Sequence, residues 1–390
     1  MIFQRNAPRT VRVARTTLIG AVSVLICVGE LSATEFNPNI SVVLDGRYQQ
    51  NEGALGHSES GFAVGHNELT LSAPVDDLFV GRLTTVLEDH EGETEVNLEE
   101  AFVQTVGLSY NLTARGGRFL SQFGYLNSRH THSDHFSSRP AVYRALFGSH
   151  YYDDGVQLNL LLPTPLYWQV GVEALNGDRL SEGNEDVGVF TARSEWGGDL
   201  SVGSSWQLGV SYLHNRQTAV PDEAGADHSG HDHTDQAHGD HDHAGHSHSI
   251  AYTGKHTYGV DLVWKWSPEG NVRQQQVVIS GEYIRATDPN EYASDDDIHE
   301  GWYASAVYRF TPQWSIGARY GELDVSQPHG DHFHDQALEE ADFMVAYQHS
   351  HFSTLRLQFS HQDGEGFENT DDTLVLQYVM SFGDHGAHEF

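Results

Sequence analysis

From residue 39 onward, segment after segment of the chain alternates apolar and polar side chains at a period of two, which restricts these segments to strands with one apolar face. Tyr258, Val260, Leu262, Trp264 and Trp266 share one face, with Thr257, Gly259, Asp261 and Lys265 on the other. Leu374, Leu376, Tyr378, Met380 and Phe382 repeat the arrangement against Thr373, Gln377 and Ser381. Trp302, Ala304, Ala306, Tyr308 and Phe310 do so again, as do Trp314, Ile316, Ala318 and Tyr320 against Gln313, Ser315 and Arg319. Sixteen such segments can be read: 40–48, 61–72, 78–89, 94–105, 111–119, 155–161, 166–175, 187–196, 205–214, 255–266, 275–286, 300–310, 313–322, 339–348, 353–361 and 373–382.

A soluble β-sandwich alternates too. Three features favour a membrane barrel instead. Aromatic residues gather at the ends of the apolar faces, where the two membrane interfaces place girdles. The opposite faces carry Asp45, Arg47, Arg82, Glu88, Asp261, Lys265, Arg309, Arg319 and Arg356, which suits a water-filled lumen. Connections alternate between short ones, such as 73–77, 162–165 and 311–312, and much longer ones. The expected fold is therefore all-β, a transmembrane antiparallel β-barrel of about sixteen strands, with fourteen and eighteen as the neighbouring counts. No run of about 20 apolar residues follows the N-terminal region, so a bundle of membrane helices is excluded.

At the N-terminus, Arg5, Arg9, Arg12 and Arg15 precede the apolar stretch 18–28 and the small residues Ser32 and Ala33. This reads as a signal peptide, residues 1–33, leaving the barrel to residues 34–390. Lipidation at Cys27 is not expected, because Ile26 is bulky and Cys27 lies inside the apolar core. The chain ends in Phe390, eight residues beyond Phe382, and terminal aromatics of this kind resemble the assembly signal of outer-membrane barrels.

The connection 215–254 is rich in His and Asp. A unit recurs there as His228, His231 and His233, as His238, His241 and His243, and as His243, His246 and His248; a further copy stands at His329, His332 and His334. Imidazoles on Gly, Ser and Asp spacers can reach one divalent ion together without a rigid pocket. The alternative is a solvated, pH-sensitive tract. A smaller cluster, His130, His132 and His135, falls in the connection 120–154. By strand parity all three His clusters follow odd-numbered strands and lie on one face of the membrane. The same connection is the third long loop, the one that narrows the pore in porins. Arg129, Arg139 and Arg144 lie in it and Arg115 and Arg118 precede it. Asp134, Asp153 and Asp154 could oppose them across a constriction, with ordinary loop ion pairing as the alternative.

The chain resembles a family of Gram-negative outer-membrane proteins designated zinc-regulated or TonB-dependent outer-membrane receptors, which have porin-like barrels. The resemblance rests on Phe36-Asn-Pro38-Asn-Ile40-Ser, Leu44-Asp45-Gly46, Glu99-Glu100-Ala101-Phe102, Gly117-Arg118-Phe119, Gly124-Tyr125-Leu126-Asn127, Arg139-Pro140, Tyr143-Arg144-Ala145 and Asp153-Asp154-Gly155-Val156-Gln157-Leu158. It implies an outer-membrane location and a link to zinc supply. A TonB-coupled transporter has 22 strands around a plug, and the segment between Ala33 and the first strand is too short for one.

With 21 Lys and Arg against 55 Asp and Glu the formal charge is −34, which makes nucleic acid an unfavourable partner and cations favourable ones. The expected partners are outer-membrane lipid, divalent metal ions, zinc by the resemblance, and periplasmic zinc-uptake components. No prosthetic group is expected, and metal would be exchangeable. No G-x-S-x-G nucleophile signature stands after the signal region, so enzyme activity is not expected. The leading functional expectation is a porin-like channel that captures divalent metal on its loops and passes it inward with a preference for cations. A metal-buffering surface protein with a closed barrel and a true TonB-coupled receptor are the alternatives.

Overall fold

The computed structural model describes residues 38–56, 60–90, 93–181, 187–217, 252–329 and 331–383. The signal region 1–33, the repeats at 228–248 and Phe390 lie outside the described residues. Seventeen strands run in chain order: β1 (Asn39–Gln49), β2 (Gly61–Val64), β3 (Asn67–Pro74), β4 (Phe79–His90), β5 (Glu93–Thr105), β6 (Leu112–Leu120), β7 (Tyr152–Leu161), β8 (Tyr167–Leu175), β9 (Val189–Ser201), β10 (Ser204–Asn215), β11 (His256–Trp266), β12 (Gln276–Thr287), β13 (Ile298–Arg309), β14 (Trp314–His329), β15 (His332–Ser350), β16 (Ser353–Glu365) and β17 (Thr373–Gly383). Each pairs antiparallel with its neighbours, and β17 returns to β1 with Val42 opposite Phe382. The sheet closes. β2 and β3 both pair with β1 and form one stave interrupted at Gly65 and His66, so the barrel has sixteen staves.

Exposure is inverted relative to a soluble protein. Leu262, Ile316, Leu357 and Leu376 are exposed, whereas Asp261, Arg319, Gln358 and Gln377 on the intervening positions are buried. Burial of the polar set with exposure of the apolar set is what a lipid-facing exterior and a polar lumen require. Two aromatic girdles bound the apolar belt. Near the short turns stand Trp168 against Trp196, at 6.1 Å between rings, and Trp314 against Tyr347, at 4.8 Å. Toward the long loops stand Tyr212 against Tyr258, at 5.3 Å, and Trp302 against Tyr320, at 5.7 Å. The barrel is an all-β transmembrane barrel with a turn end and a loop end.

The loop-end hairpin of β14 and β15 runs further than its alternation suggests. The pattern predicts a break over 323–338, but pairing continues to His329 opposite His332. Beyond Tyr320 the exterior residues become Glu322 and Asp324 while Leu323 and Val325 turn inward and are buried. Above the bilayer the outer face meets water, so the polarity of the two faces reverses. His329, His332 and His334 therefore sit at a hairpin tip and not in a long loop.

The apolar core lies inside the barrel. The segment 121–151 between β6 and β7 folds into the lumen and carries one helix, α1 (Ala141–Phe147), all seven of whose residues are buried. A helix without a polar face has no solvent side. Pro140 precedes α1, its carbonyl accepting from the Tyr143 and Arg144 amides, and Gly148 ends it in the left-handed conformation at φ 55°. Phe119, Phe123, Val142, Tyr143, Leu146 and Phe147 pack with Leu213, Ile284, Tyr303 and Leu323 of the inner wall.

Candidate functional site in the lumen

Buried carboxylates of the wall hold the inward segment. Glu282 of β12 accepts from the Tyr143 and Tyr303 hydroxyls, each at 2.8 Å, and from the Tyr125 and Leu126 amides at 2.8 and 3.1 Å. Gly124 makes this approach attainable, because it takes φ +71° and an added Cβ would lie 2.3 Å from the Tyr143 hydroxyl. Glu173 of β8 accepts from the Ser121 hydroxyl at 2.6 Å and the Gln122 amide at 2.9 Å. Asn127 ties the two ends of the segment together, donating to the Ser121 and Tyr151 carbonyls and accepting from the Tyr151 amide.

The arginines expected at the constriction divide into three groups. Arg139 and Arg144 fasten the segment. Arg139 donates to Asp134 at 2.9 Å and to the Ser149 carbonyl, and Arg144 grips Glu340 of β15. Arg319 joins the same layer, pairing with Asp342 at 2.7 Å and Glu340 at 3.4 Å and donating to the Ser138 carbonyl. Arg115 faces the lumen, bonded to Gln104 and lying 4.3 Å from the centre of the Phe102 ring, while Arg129 lies 4.4 Å from the Tyr125 ring. Arg118 and Asp154 are a correction to the expected constriction. They pair at 2.7 Å on the face that Asp154 shares with exposed Val156 and Leu158, outside the lumen. Asp153 is buried and spent on local bonds, accepting from the Tyr151 hydroxyl and the Gly177 amide, each near 2.7 to 2.8 Å.

The inward segment leaves a cavity on either side. The loop-end cavity, of about 340 Å³, is lined by His66, Glu88, Glu95 and His150 together with Arg47 and Arg139. The turn-end cavity, of about 650 Å³, is lined by Arg129, Lys265, Arg309 and Arg356 with Asp134 and Asp199. The two halves of the lumen thus differ in chemistry.

His130 and His132 flank Thr131, which lines the loop-end cavity, while His132 also lines the turn-end one, and the structure gives them neighbours that their spacing does not reveal. His132 Nδ1 is 2.7 Å from Glu68, and His130 Nδ1 is 3.0 Å from Glu99. His66 and His150 join from other elements, at 3.4 and 2.9 Å from the same Glu99 oxygen. Burial opposes a charge on His130, but Glu68 and Glu99 outweigh it and raise its pKa well above the usual range. Burial lowers that of His150 despite its bond to Glu99. His135 parts from this cluster; burial and the charges of Arg356, Arg309, Arg129 and Lys265 push its pKa down to about 3.

Two departures from regular sheet build the cluster. The stave break places His66 between β2 and β3. In β5, Leu98 faces Thr85 and Glu100 faces Thr84, so Glu99 is an extra residue and a bulge. Without the bulge one of two consecutive acids would face lipid; with it, both Glu99 and Glu100 are buried inward. Adjacent acids within an alternating segment are the sequence signal that could have found this site. Nothing comparable marks His66 or His150.

No protein-family model matches the chain. A protein of Aquifex aeolicus described as uncharacterized is 28% identical, the match covering 93% of this chain and 82% of that one. Among solved structures, OmpT of Vibrio cholerae is similar with a TM-score of 0.54 at 8% identity, over 88% of this chain and 97% of that one. The anion-selective porin of Comamonas acidovorans gives 0.54 at 11% identity over 90% and 100%. The outer membrane channel DcaP of Acinetobacter baumannii gives 0.52 at 13% over 89% and 96%. At such identities the likeness is one of fold, and the fold is that of the sixteen-stranded outer-membrane porins and channels.

Proposed function

We propose that the chain is a porin-type outer-membrane channel that admits divalent metal, zinc by the resemblance of its sequence, after capture on His-rich loops. The observation that carries this reading is the pair of vestibules separated by an inward-folded third loop, with imidazoles and carboxylates lining the loop-end one. Capture falls to the repeats at 228–248 and to His329, His332 and His334, which stand exposed at a hairpin tip. Periplasmic zinc-uptake components would receive the ion.

A second reading, a closed metal-buffering barrel, is favoured by the ion pairs of Arg144, Arg319, Glu340 and Asp342, which clamp the inward segment against β14 and β15. Planar bilayers separate the two. Purified, folded protein is expected to give discrete conductance steps that micromolar zinc blocks transiently. An insulating barrel in repeated folded preparations would leave the buffering reading.

A further inference from the structure

We infer that the wall of the lumen holds a two-ion site for borderline divalent cations, built by His66, Glu68, Glu99, His130, His132 and His150. It is distinct from the external histidines and does not require the barrel to conduct. Two triads of donor atoms each lie within 4.8 Å of one another: His66, Glu99 and His150 form one, and Glu68, His130 and His132 the other. Tetrahedral bonds of about 2.0–2.1 Å set donor atoms about 3.3–3.4 Å apart. Two pairs match that, 3.4 Å from His66 Nε2 to Glu99 and 3.4 Å from His130 Nδ1 to Glu68, while 2.9 Å from His150 Nε2 to Glu99 and 2.7 Å from His132 Nδ1 to Glu68 are hydrogen-bond distances that would open by about half an ångström around an ion.

The carboxylates link the triads. Glu99 turns one oxygen to His66 and His150 and the other to His130, and Glu68 turns one oxygen to His132 and His66 and the other to His130. Bridging carboxylates of this kind suit two cations side by side.

Three atoms at the centre point to what is bound. His66 Nε2, Glu99 Oε2 and His130 Nδ1 are buried and make no hydrogen bond, although His66 and His130 each lie within ion-pair reach of Glu99. Buried polar atoms are normally satisfied, and two cations bridged by Glu99, one in each triad, satisfy all three. Two of the outer nitrogens are already held. Glu88 bonds His66 Nδ1 at 2.6 Å, and Glu100, itself bonded by Thr84, stands 3.2 Å from His130 Nε2. A carboxylate on the far nitrogen fixes ring orientation and leaves the near lone pair for metal. Four imidazoles with carboxylates select zinc, cobalt or nickel over magnesium and calcium.

Three ligands belong to the inward segment and three to the wall, so occupancy would staple the segment to the barrel at its open side.

The test uses the full chain with the eight His of 228–248 and His329, His332 and His334 replaced by Ser, loaded with Co²⁺ and dialysed. Metal analysis should find about two ions per chain, with visible absorption of cobalt held by nitrogen and oxygen. Glu99→Gln, folded by its heat-dependent gel mobility, should lose at least one ion. Glu100→Gln should keep the stoichiometry and weaken binding about 10–100-fold. If Glu99→Gln does not fold, His132→Asn decides, since it should lose one ion. A parent that retains no cobalt, or variants that bind as the parent does, would overturn the inference. Conductance is read separately: an insulating barrel that still holds two ions defeats the channel and leaves this site standing.

Discussion

His132 and His135 lie three positions apart, and the charges nearest them have opposite sign. His132 meets Glu68, while His135 is open to the turn-end cavity with Arg356, Arg309, Arg129 and Lys265 around it. Asp134, the acid beside it, is occupied by Arg139. A folded pKa of about 3 against about 6.5 in the unfolded chain means that the unfolded state binds the extra proton between those values. Stability from this group is therefore complete above about pH 6.5 and lost as pH falls toward 3, by an amount that the water of the open turn-end cavity reduces. His135→Gln should flatten the fall in the urea midpoint of the reconstituted barrel between pH 6.5 and 4. A slope that the substitution leaves unchanged would show that His135 is not the group responsible. At this scale the sequence was least informative, because period and spacing group His130, His132 and His135 together while the fold sends the third elsewhere.

At the scale of elements, the segment 121–151 is an insert whose attachment is concentrated at Glu282. One carboxylate receives two hydroxyls and two amides from three parts of the chain, and each donor it loses is a buried group left without a partner. Glu282→Leu keeps the strand and most of the volume while removing every one of these bonds. The expected result is a folded, heat-modifiable barrel with larger single-channel conductance and faster proteolysis within 121–151. An unaltered conductance would mean that the packing of α1 in the apolar core suffices without Glu282. The strands were legible because each stave separates two solvents, lipid and lumen, and alternation is the direct imprint of that boundary. The imprint fails where the boundary changes. Above Tyr320 in β14 water replaces lipid and the faces exchange polarity, and at Glu99 a bulge shifts the phase by one residue. Helix α1 left no periodic trace, since seven residues buried on all sides have no polar stripe.

At the scale of the whole molecule, net charge and pore charge are different quantities. The formal charge of −34 led to an expected preference for cations. Ions passing through the barrel meet the local field of the lumen, because exposed loop charges are screened within about 8–10 Å at physiological salt. That field is divided: at the loop-end cavity Glu88, Glu95 and Glu340 balance Arg47, Arg139, Arg144 and Arg179, whereas Arg129, Lys265, Arg309 and Arg356 dominate the turn-end one. A low-dielectric wall focuses such charges on the permeating ion. A cationic layer at one end of the lumen in series with a charge-balanced one at the other should make the channel rectify, passing current more readily in one direction than in the other. Lys265 and Arg309 are the layer's means of test, since both stand on wall strands, β11 and β13. Replacing both with Gln should shift the reversal potential in a salt gradient toward cations and reduce rectification, with the barrel still folded. Symmetric current in the parent, or a reversal potential indifferent to the double substitution, would place the controlling charges elsewhere, at the ion pairs of Arg144, Arg319, Glu340 and Asp342 where the inward segment meets the wall.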